Sequence, residues 1–142
     1  MHPAKDGFLE VALGRAEQAE AKYRSLLELI QAITYTEELD SLRTFAVSPQ
    51  IETILGYSQE DWMGDANLWI DRIHPDDRDR VVDACERANR ARAAYREEYR
   101  IEARDGRIVW VRDEAMLVHD SNGQPLCWQG VMTVITDPGK AG

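Results

Sequence analysis

The apolar positions of the first 33 residues follow a helical repeat. Apolar or small residues recur at alternating steps of three and four, which is a heptad seam and predicts one long helix. The seam positions are Leu9, Ala12, Ala16, Ala19, Tyr23, Leu26, Ile30 and Ile33. Because alanine makes a weak seam on its own, two interpretations stay open: a stripe that packs on its own domain, or a dimerising coiled coil that enters from an upstream module.

After this helix the pattern changes to two short apolar runs. Ile33–Glu38 and Leu42–Val47 flank a polar pair, Asp40 and Ser41. Polar residues of this kind favour a tight turn, so the two runs predict a β-hairpin.

Helices of different lengths are predicted next. Ser48 and Pro49 have the residue types of a helix cap and a first helical position, and Gly56 is typical of a helix end. Ser58 is a second cap-like residue, followed by short helical pieces. A longer helix is predicted from Pro75 to Ala93, because proline and acidic residues favour a helix start. Its inward positions are Val81, Val82, Cys85 and Ala88.

The last part of the chain changes to strand patterns. Three runs are separated by the turn signals Asp105-Gly106 and Ser121-Asn122-Gly123. The predicted strands are Tyr95–Ala103, Arg107–Val118 and Pro125–Thr136. We therefore expect an α+β domain with one five-stranded sheet.

Composition limits the function classes. With 142 residues, 44% of them hydrophobic, the chain can bury one core. A net charge of -9 opposes binding to nucleic acid. Neither a secretory leader nor a membrane span is visible in the sequence, so we expect a cytoplasmic location and no membrane partner. Cys85 and Cys127 lie far apart, which indicates neither a disulfide framework nor a zinc site.

Several motifs, in order, resemble the PAS family. The chain resembles its branch with a Trp-x4-His-Pro-x-Asp-Arg signature and a C-terminal PAC-type motif, over residues 23–136. The motifs that carry the resemblance are Val47-Ser-Pro-Gln-Ile51, Leu55-Gly-Tyr-Ser58, Trp69 with Ile73-His-Pro-Asp-Asp-Arg78, Glu98-Tyr-Arg100, Arg104-Asp-Gly106, Trp110, Asp120-Ser-Asn-Gly123 and Gly130-Val131.

The resemblance implies both a fold and a role. In this family a sheet curls around a cavity that can hold a cofactor or metabolite, and flanking helices carry the signal onward. The resemblance implies a PAS fold, with a five-stranded antiparallel sheet, short helices on one face and the N-terminal amphipathic helix on the other. It implies a flanking helix at 1–22, a PAS domain at 23–137 and a disordered tail at 138–142. The expected function is signal sensing and dimerisation in a bacterial multidomain protein of the histidine kinase or cyclic-dinucleotide enzyme type, with a covalently linked effector. The alternative is a ligand-free dimerisation spacer.

The cofactors of related sensors need residues that this chain lacks. Flavin-binding members use a cysteine between the helices, and residues 62–73 contain none. Their polar flavin contacts would fall on Ile101, Val111 and Met132, which cannot pair with the ring edge. Haem-binding members place an axial histidine where this chain has Val81. We therefore expect neither flavin nor haem.

The group around His74 also has a simpler interpretation than chemistry. A histidine before proline usually caps a helix, and Asp76 and Asp77 suit dipole compensation, with Arg78 and Arg80 to neutralise them. No nucleophile motif accompanies these residues, so no catalytic or metal site is predicted and the domain is not expected to be an enzyme.

The two faces of the sheet give two candidate surfaces. Taking strand parity from the family, the inner face is nearly all hydrocarbon, either filled as a core or open to a small apolar ligand. The predicted pocket lining is Phe45, Val47, Ile54, Trp69, Val81, Tyr99, Ile101, Val111 and Met132.

The outer face is also apolar, so something must cover it. We expect a dimer and signal-transfer interface anchored by Trp110, covered by the N-terminal helix, by its copy in a second subunit, or by both. The predicted interface residues are Tyr23, Leu26, Ile30, Ile108, Trp110, Val131 and Ile135.

Overall fold

The computed structural model describes residues 3–140, with side chains from residue 10 to residue 139. The elements in chain order are α1 (Pro3–Leu29), β1 (Ala32–Glu38), β2 (Thr44–Val47), α2 (Gln50–Leu55), α3 (Gln59–Gly64), α4 (Leu68–Arg72), α5 (Pro75–Ala91), β3 (Tyr95–Glu102), β4 (Ile108–His119), β5 (Pro125–Val134) and a 3-10 turn (Pro138–Lys140). That turn lies where the sequence predicted a disordered tail. No described helix has the length and apolar character needed to span a bilayer.

One sheet contains all five strands in the order β2-β1-β5-β4-β3, and every neighbouring pair is antiparallel. The predicted α+β architecture is therefore confirmed. The turn between β3 and β4 contains Gly106 at φ 91°, and the turn between β4 and β5 contains Gly123 at φ 78°. Backbone in this left-handed region strongly favours glycine, which is why both turns were visible in the sequence.

The N-terminal helix differs from its prediction in length and in position. It ends at Leu29, and Gln31 at φ 51° turns the chain into β1, so Ile33 is a buried strand residue and not a seam position. Side chains from residue 10 to residue 26 are exposed apart from half-buried Gly14. Leu27 is the first buried side chain of the described helix. The sequence had suggested that this helix covers the outer face of the sheet. Because its side chains are exposed, the described helix does not cover that face.

Smaller boundary errors have local causes. Strand β2 begins at Thr44 and not at Leu42, because Asp40 and Leu42 both adopt left-handed backbone in the turn. Ser48 does not cap α2: its Oγ accepts a hydrogen bond from the N–H of Thr34 at 3.0 Å. The cap predicted at Ser58 is confirmed, since its Oγ accepts from the N–H of Asp61 at 3.0 Å.

The core lies between the inner face of the sheet and the helices α2–α5. Its fully buried side chains come from β1, α2, the link between α4 and α5, α5 itself and strands β3 and β4, and include Ile33, Ile51, Leu55, Ile73, Val81, Tyr99, Ile101 and Val111. Side chains on alternate positions of β3, such as Tyr95, Tyr99 and Ile101, point to this core. The α5 helix, which ends at Ala91 and not at Ala93, packs beside β3.

Candidate functional site

A partly enclosed cavity of about 110 Å³ lies beside this core, between the inner sheet face and helices α3 to α5. Aromatic side chains from five different helices and strands line it: Tyr35, Trp62, Trp69, Tyr95 and Trp128. Three carboxylates, Glu37, Asp65 and Asp113, also line it, together with Cys85, Asn89 and Met132. The volume is below the roughly 300–1,000 Å³ of pockets that hold drug-sized ligands, so the cavity suits a small molecule.

Asp113 is the buried polar centre of this cavity, with 2% of its surface exposed. Its carboxylate accepts hydrogen bonds from the hydroxyl of Tyr35 and, at 2.7 Å, from the hydroxyl of Tyr99. The Tyr99 oxygen in turn accepts the indole N–H of Trp69 at 2.8 Å. Burial raises the pKa of Asp113 to about 6, while the two tyrosine hydrogen bonds act in the opposite direction.

The contact between Tyr35 and Asp113 crosses an intervening strand. Tyr35 lies on β1 and Asp113 on β4, and β5 runs between them. On β5, the residue opposite Tyr35 is Gly130. A Cβ atom at Gly130 would overlap the ring of Tyr35, so the missing side chain makes the space through which the tyrosine reaches the carboxylate.

Other polar groups of the cavity are perturbed by burial and by one another. Burial and the charge of Asp113 raise the pKa of the half-buried Glu37 to about 8. Burial, followed by the nearby carboxylates, raises the pKa of the Cys85 thiol to about 12, so this thiol is a poor nucleophile at neutral pH. Tyr95 is 7% exposed, and its hydroxyl is buried without a hydrogen-bond partner.

The structure distributes the sequence-predicted pocket residues between the cavity and the core. Trp69 and Met132 line the cavity. Phe45 is 45% exposed and does not line it. The other six belong to the core beside it, with Ile54 only partly buried: Val47, Ile54, Val81, Tyr99, Ile101 and Val111.

The expectation of a nearly all-hydrocarbon inner face was wrong, because two carboxylates lie on it. Asp113 continues the inward alternation of Val109 and Val111 along β4, and Glu37 has the same inward position on β1. A polar residue after two inward apolar residues was the available signal, but it does not show that two tyrosines from other strands converge on it.

The positions that the resemblance assigned to cofactor contacts are apolar and buried. Ile101 and Val111 are fully buried, and Met132 Sδ lies 3.6 Å from the hydroxyl of Tyr99. Val81, where the resemblance implied the place of a haem ligand in related sensors, is a fully buried core residue. Within residues 3–140 no group of three histidine, cysteine or acidic side chains is arranged to hold a metal ion.

The turn at His74 secures helix α5 to the free edge of β3. His74 Nδ1 accepts the N–H of Asp76 at 3.1 Å, which confirms the capping role, and the His74 N–H donates to the carbonyl of Arg100 at 2.9 Å. Asp77 accepts from the N–H of Arg100 at 3.0 Å and from its guanidinium at 2.9 and 2.8 Å. These bonds satisfy backbone groups that an edge strand would otherwise leave open.

The ion pairing of this turn differs from the prediction. Arg100 is the main partner of Asp77, and its hydrogen bonds hold the pKa of that carboxyl at about 2 although burial acts in the opposite direction. Arg80 lies 3.5 Å from Asp77, whereas Arg78 donates to the carbonyls of Asp71 and Ile73. The acidic group is therefore structural, and its partner comes from the sheet.

The outer face of the sheet is open over the described residues. Ile108 is 48% exposed, while Trp110, Val131 and Ile135 are half-buried. The guanidinium of Arg100 lies 5.3 Å from the ring centroid of Trp110, in the geometry of a cation–π contact. The seam residues Tyr23 and Leu26 on α1, and Ile30 directly after it, are all about half exposed.

Comparison with known proteins identifies the family to which this fold belongs. Residues 44–132, more than half of the chain, match the family described as the PAS fold. The chain belongs to the PAS family. The match begins at β2, and β1 completes the sheet of this PAS domain by pairing with β5.

Its relatives are sensors. A methyl sulfide methyltransferase-associated sensor from Methanosarcina acetivorans is 31% identical over 88 residues, which are 61% of this chain and 9% of that protein. Sensor protein FixL from Bradyrhizobium diazoefficiens is 30% identical over 104 residues, which are 72% of this chain and 20% of that protein. The PAS domain thus spans a tenth to a fifth of the curated relatives that it matches.

A solved structure agrees with this placement. The N-terminal domain of a diguanylate cyclase with a PAS/PAC sensor, from Marinobacter aquaeolei, is 32% identical with a TM-score of 0.64, over 71% of this chain and 92% of that domain. This chain is therefore a PAS sensory domain of the kind found in multidomain signalling proteins, and the PAS domain is a sensor module and not itself catalytic.

Proposed function

We propose that this PAS domain is the input module of a larger signalling protein, of the histidine kinase or cyclic-dinucleotide enzyme type. It senses a small molecule in its cavity and passes its state as a homodimer to a covalently linked effector. The names of its relatives support the class of protein, because they include sensor proteins and a diguanylate cyclase. A cytoplasmic location and the absence of a nucleic-acid partner belong to the same proposal, and the net charge of -9 favours the latter.

One observation supports sensing above the others. Tyr35 lines the cavity and lies in β1, the strand that follows α1 after Ile30 and Gln31. A molecule that changes the Tyr35–Asp113 contact therefore acts on the strand that continues into the exposed helix. The carboxylates of Asp113 and Glu37 in the lining disfavour the small apolar ligand that the sequence left open.

Dimerisation is supported by the exposed apolar stripe of α1. Tyr23 and Leu26 of α1, and Ile30 directly after it, are 51%, 57% and 51% exposed. They are spaced by three and four residues, and the N–H of Ile30 still donates to the carbonyl of Leu26 at 3.0 Å, so they continue one helix face. Such residues favour pairing with the same helix of a second copy. The partly apolar outer sheet face around Trp110 is the second candidate contact surface.

Native mass spectrometry of the purified chain tests the proposal. A dimer that retains a small molecule, or takes one up from a metabolite extract, is the expected result. A dimer that stays empty with every extract would contradict sensing and favour the ligand-free spacer.

Sedimentation velocity tests the dimer separately. Leu26→Ser removes the centre of the stripe and should weaken the dimer at least tenfold. Arg24→Ser is the matched control. It introduces the same residue two positions earlier, on the opposite side of the helix. Equal dimerisation of the two variants would contradict the assignment of this face.

A further inference from the structure

The cavity has an aromatic wall around an acidic centre. Five of its lining side chains are aromatic: Tyr35, Trp62, Trp69, Tyr95 and Trp128. The indole N–H of Trp69 donates to Tyr99, and that of Trp128 donates to Asn89 Oδ1 at 2.9 Å. Because these N–H groups are already paired, what both tryptophans offer a ligand is ring surface.

Charge in the lining is strongly one-sided. Asp113, Glu37 and Asp65 are acidic, and Arg43 is the single basic residue among those that line the cavity. The guanidinium of Arg43 lies 3.4 Å from the carboxylate of Glu38, a residue outside the lining. The Asp113 carboxylate has spare acceptor capacity, since two tyrosine hydrogen bonds use only part of its lone pairs.

A separate observation indicates that the cavity is built for an occupant. Tyr95 is more than nine-tenths buried, and its hydroxyl has no hydrogen-bond partner. Tyr95 is itself one of the residues that line the cavity, together with Asp113, Cys85 and Glu37. A buried hydroxyl is costly to leave unpaired, so a bound polar molecule or water would stabilise it.

We infer that this cavity binds a small organic cation of the amine or quaternary ammonium class. Aromatic rings attract a desolvated cation through their negative faces, and the buried Asp113 with the other lining carboxylates supplies the opposite charge. A neutral apolar molecule would leave the ionised carboxylates without a positive charge beside them, and an anion would be repelled by them. The inference rests on the proposed sensory function and adds the chemical class of the ligand.

Four tryptophans make the site directly observable. The chain contains four; Trp62, Trp69 and Trp128 line the cavity, whereas Trp110 lies on the outer sheet face. We would titrate the 15N-labelled chain with tetramethylammonium chloride and follow the indole N–H signals. The uncharged analogue tert-butanol, the anionic analogue pivalate and sodium chloride at matched ionic strength are the comparison titrations.

Saturable shifts of the three cavity signals with little change at Trp110, and at least tenfold weaker binding of both analogues, are the expected results. Glu37→Gln should weaken tetramethylammonium binding at least threefold at pH 8.5. Asp113→Asn should abolish it, and Asp79→Asn, a surface change on α5, should leave it unchanged. If Asp113→Asn fails to fold, Glu37→Gln carries the test alone.

The pH dependence has a definite sign. Tetramethylammonium cannot lose a proton, so its affinity should rise at least tenfold from pH 5.5 to pH 8.5 as Asp113 and Glu37 ionise. Tyr35, Tyr95, Tyr99 and Cys85 also face these carboxylates and stay protonated over this range, because burial raises their pKa values. Glu114 on β4 adds negative charge near Asp113, and Asp65 and Arg43 complete the charged lining.

Two kinds of failure are distinguishable. Binding of tert-butanol or pivalate at the cavity signals with an affinity equal to or higher than that of tetramethylammonium would overturn the cation inference and leave sensing intact. Absence of any cavity shift with all three probes overturns the inference as well, and an empty chain in native mass spectrometry would then contradict sensing itself.

Discussion

The side chain of Tyr35 occupies the space above Gly130, and this contact lets a tyrosine of β1 donate to Asp113 on β4 across an intervening strand. The polar centre of the cavity therefore depends on a residue that has no side chain. A glycine in the middle of a strand weakens the strand itself. Here the missing Cβ has a specific use, because it lets the ring of Tyr35 lie close against the backbone of β5.

Gly130→Ala should destabilise the domain by about 1–3 kcal/mol, because the added methyl group overlaps the buried ring of Tyr35 and breaks its hydrogen bond. Urea unfolding monitored by circular dichroism measures this difference. Gly64→Ala is the matched control, since nothing lies within 4 Å of its added methyl group. Equal unfolding midpoints for the two variants would show that the tyrosine ring moves aside without cost.

Glu37→Gln should make the domain more stable than the wild type at high pH. The pKa of Glu37 is about 8 in the folded chain and about 4.3 when unfolded, so its favourable contribution is complete below pH 4 and is lost as the pH rises through 8. The variant lacks this loss. Its advantage should grow between pH 5 and pH 8.5 to about 1–3 kcal/mol, less than the full pKa shift implies because Glu37 is only half-buried.

Denaturant unfolding of both proteins at several pH values checks this expectation. Asp113, whose pKa is about 6, also contributes to the pH dependence of the unfolding free energy. The quantity to compare is therefore the difference in unfolding free energy between wild type and variant at each pH. A difference that is constant from pH 5 to pH 8.5 would contradict the assignment of Glu37.

Asp77→Asn should destabilise the domain by about 1.5–3 kcal/mol at neutral pH, because three hydrogen bonds from Arg100 lose their charged acceptor. The pKa of Asp77 is lowered to about 2, so its contribution is present above the unfolded value near 4 and is lost as the pH falls through 2. The difference from wild type should therefore shrink between pH 4 and pH 2.

Thermal unfolding across this acidic range measures the effect. Asp76→Asn is the matched control, since the Asp76 side chain is 77% exposed and its interaction with the helix dipole is worth under about 1 kcal/mol. A loss of stability in Asp77→Asn that persists unchanged at pH 2 would mean that packing, and not charge, is what the carboxylate contributes.

Trp110→Ala should shift the dimer towards monomer if the outer sheet face takes part in the contact between two copies. Large aromatic side chains with a neighbouring arginine often dominate such contacts. Multi-angle light scattering over a range of concentrations measures the change. Leu126→Ala removes another exposed apolar side chain, at 56% exposure, and should leave the dimer unaffected. An unchanged dimer in Trp110→Ala, or a wild-type monomer, would contradict the role of this face.

The strands and the long helix α5 were predictable because their signals are local. Glycine turns bounded β3, β4 and β5, and the proline after His74 marked the start of α5. The end of α1 was not predictable in the same way, since Ile30 and Ile33 continue the heptad spacing. The hydrogen bonds of β1 with β5, a hundred residues later, decide that Ile33 belongs to a strand.

The candidate site was less predictable than the fold. The alternation of side chains along the strands correctly placed Met132, Tyr99 and Val111 on the inner face. The cavity also needs Trp62 from α3, Trp128 from β5 and Tyr35 from β1. Nothing local in the sequence shows that these side chains converge. The role of Asp113 could not be predicted from the sequence, because its two hydrogen-bond donors lie 78 and 14 residues away.

The two residues between α1 and β1, Ile30 and Gln31, form the point from which the long helix leaves the sheet. The carbonyl of Gln31 accepts the N–H of Val134 at 3.1 Å, which fixes the base of the helix to the last strand. The 27 residues of α1 extend about 40 Å from this point at 1.5 Å per residue. A tilt of ~3° at the base would displace the far end by ~2 Å. A movement of β1 too small to disturb the sheet would thus be several times larger at the far end of the helix.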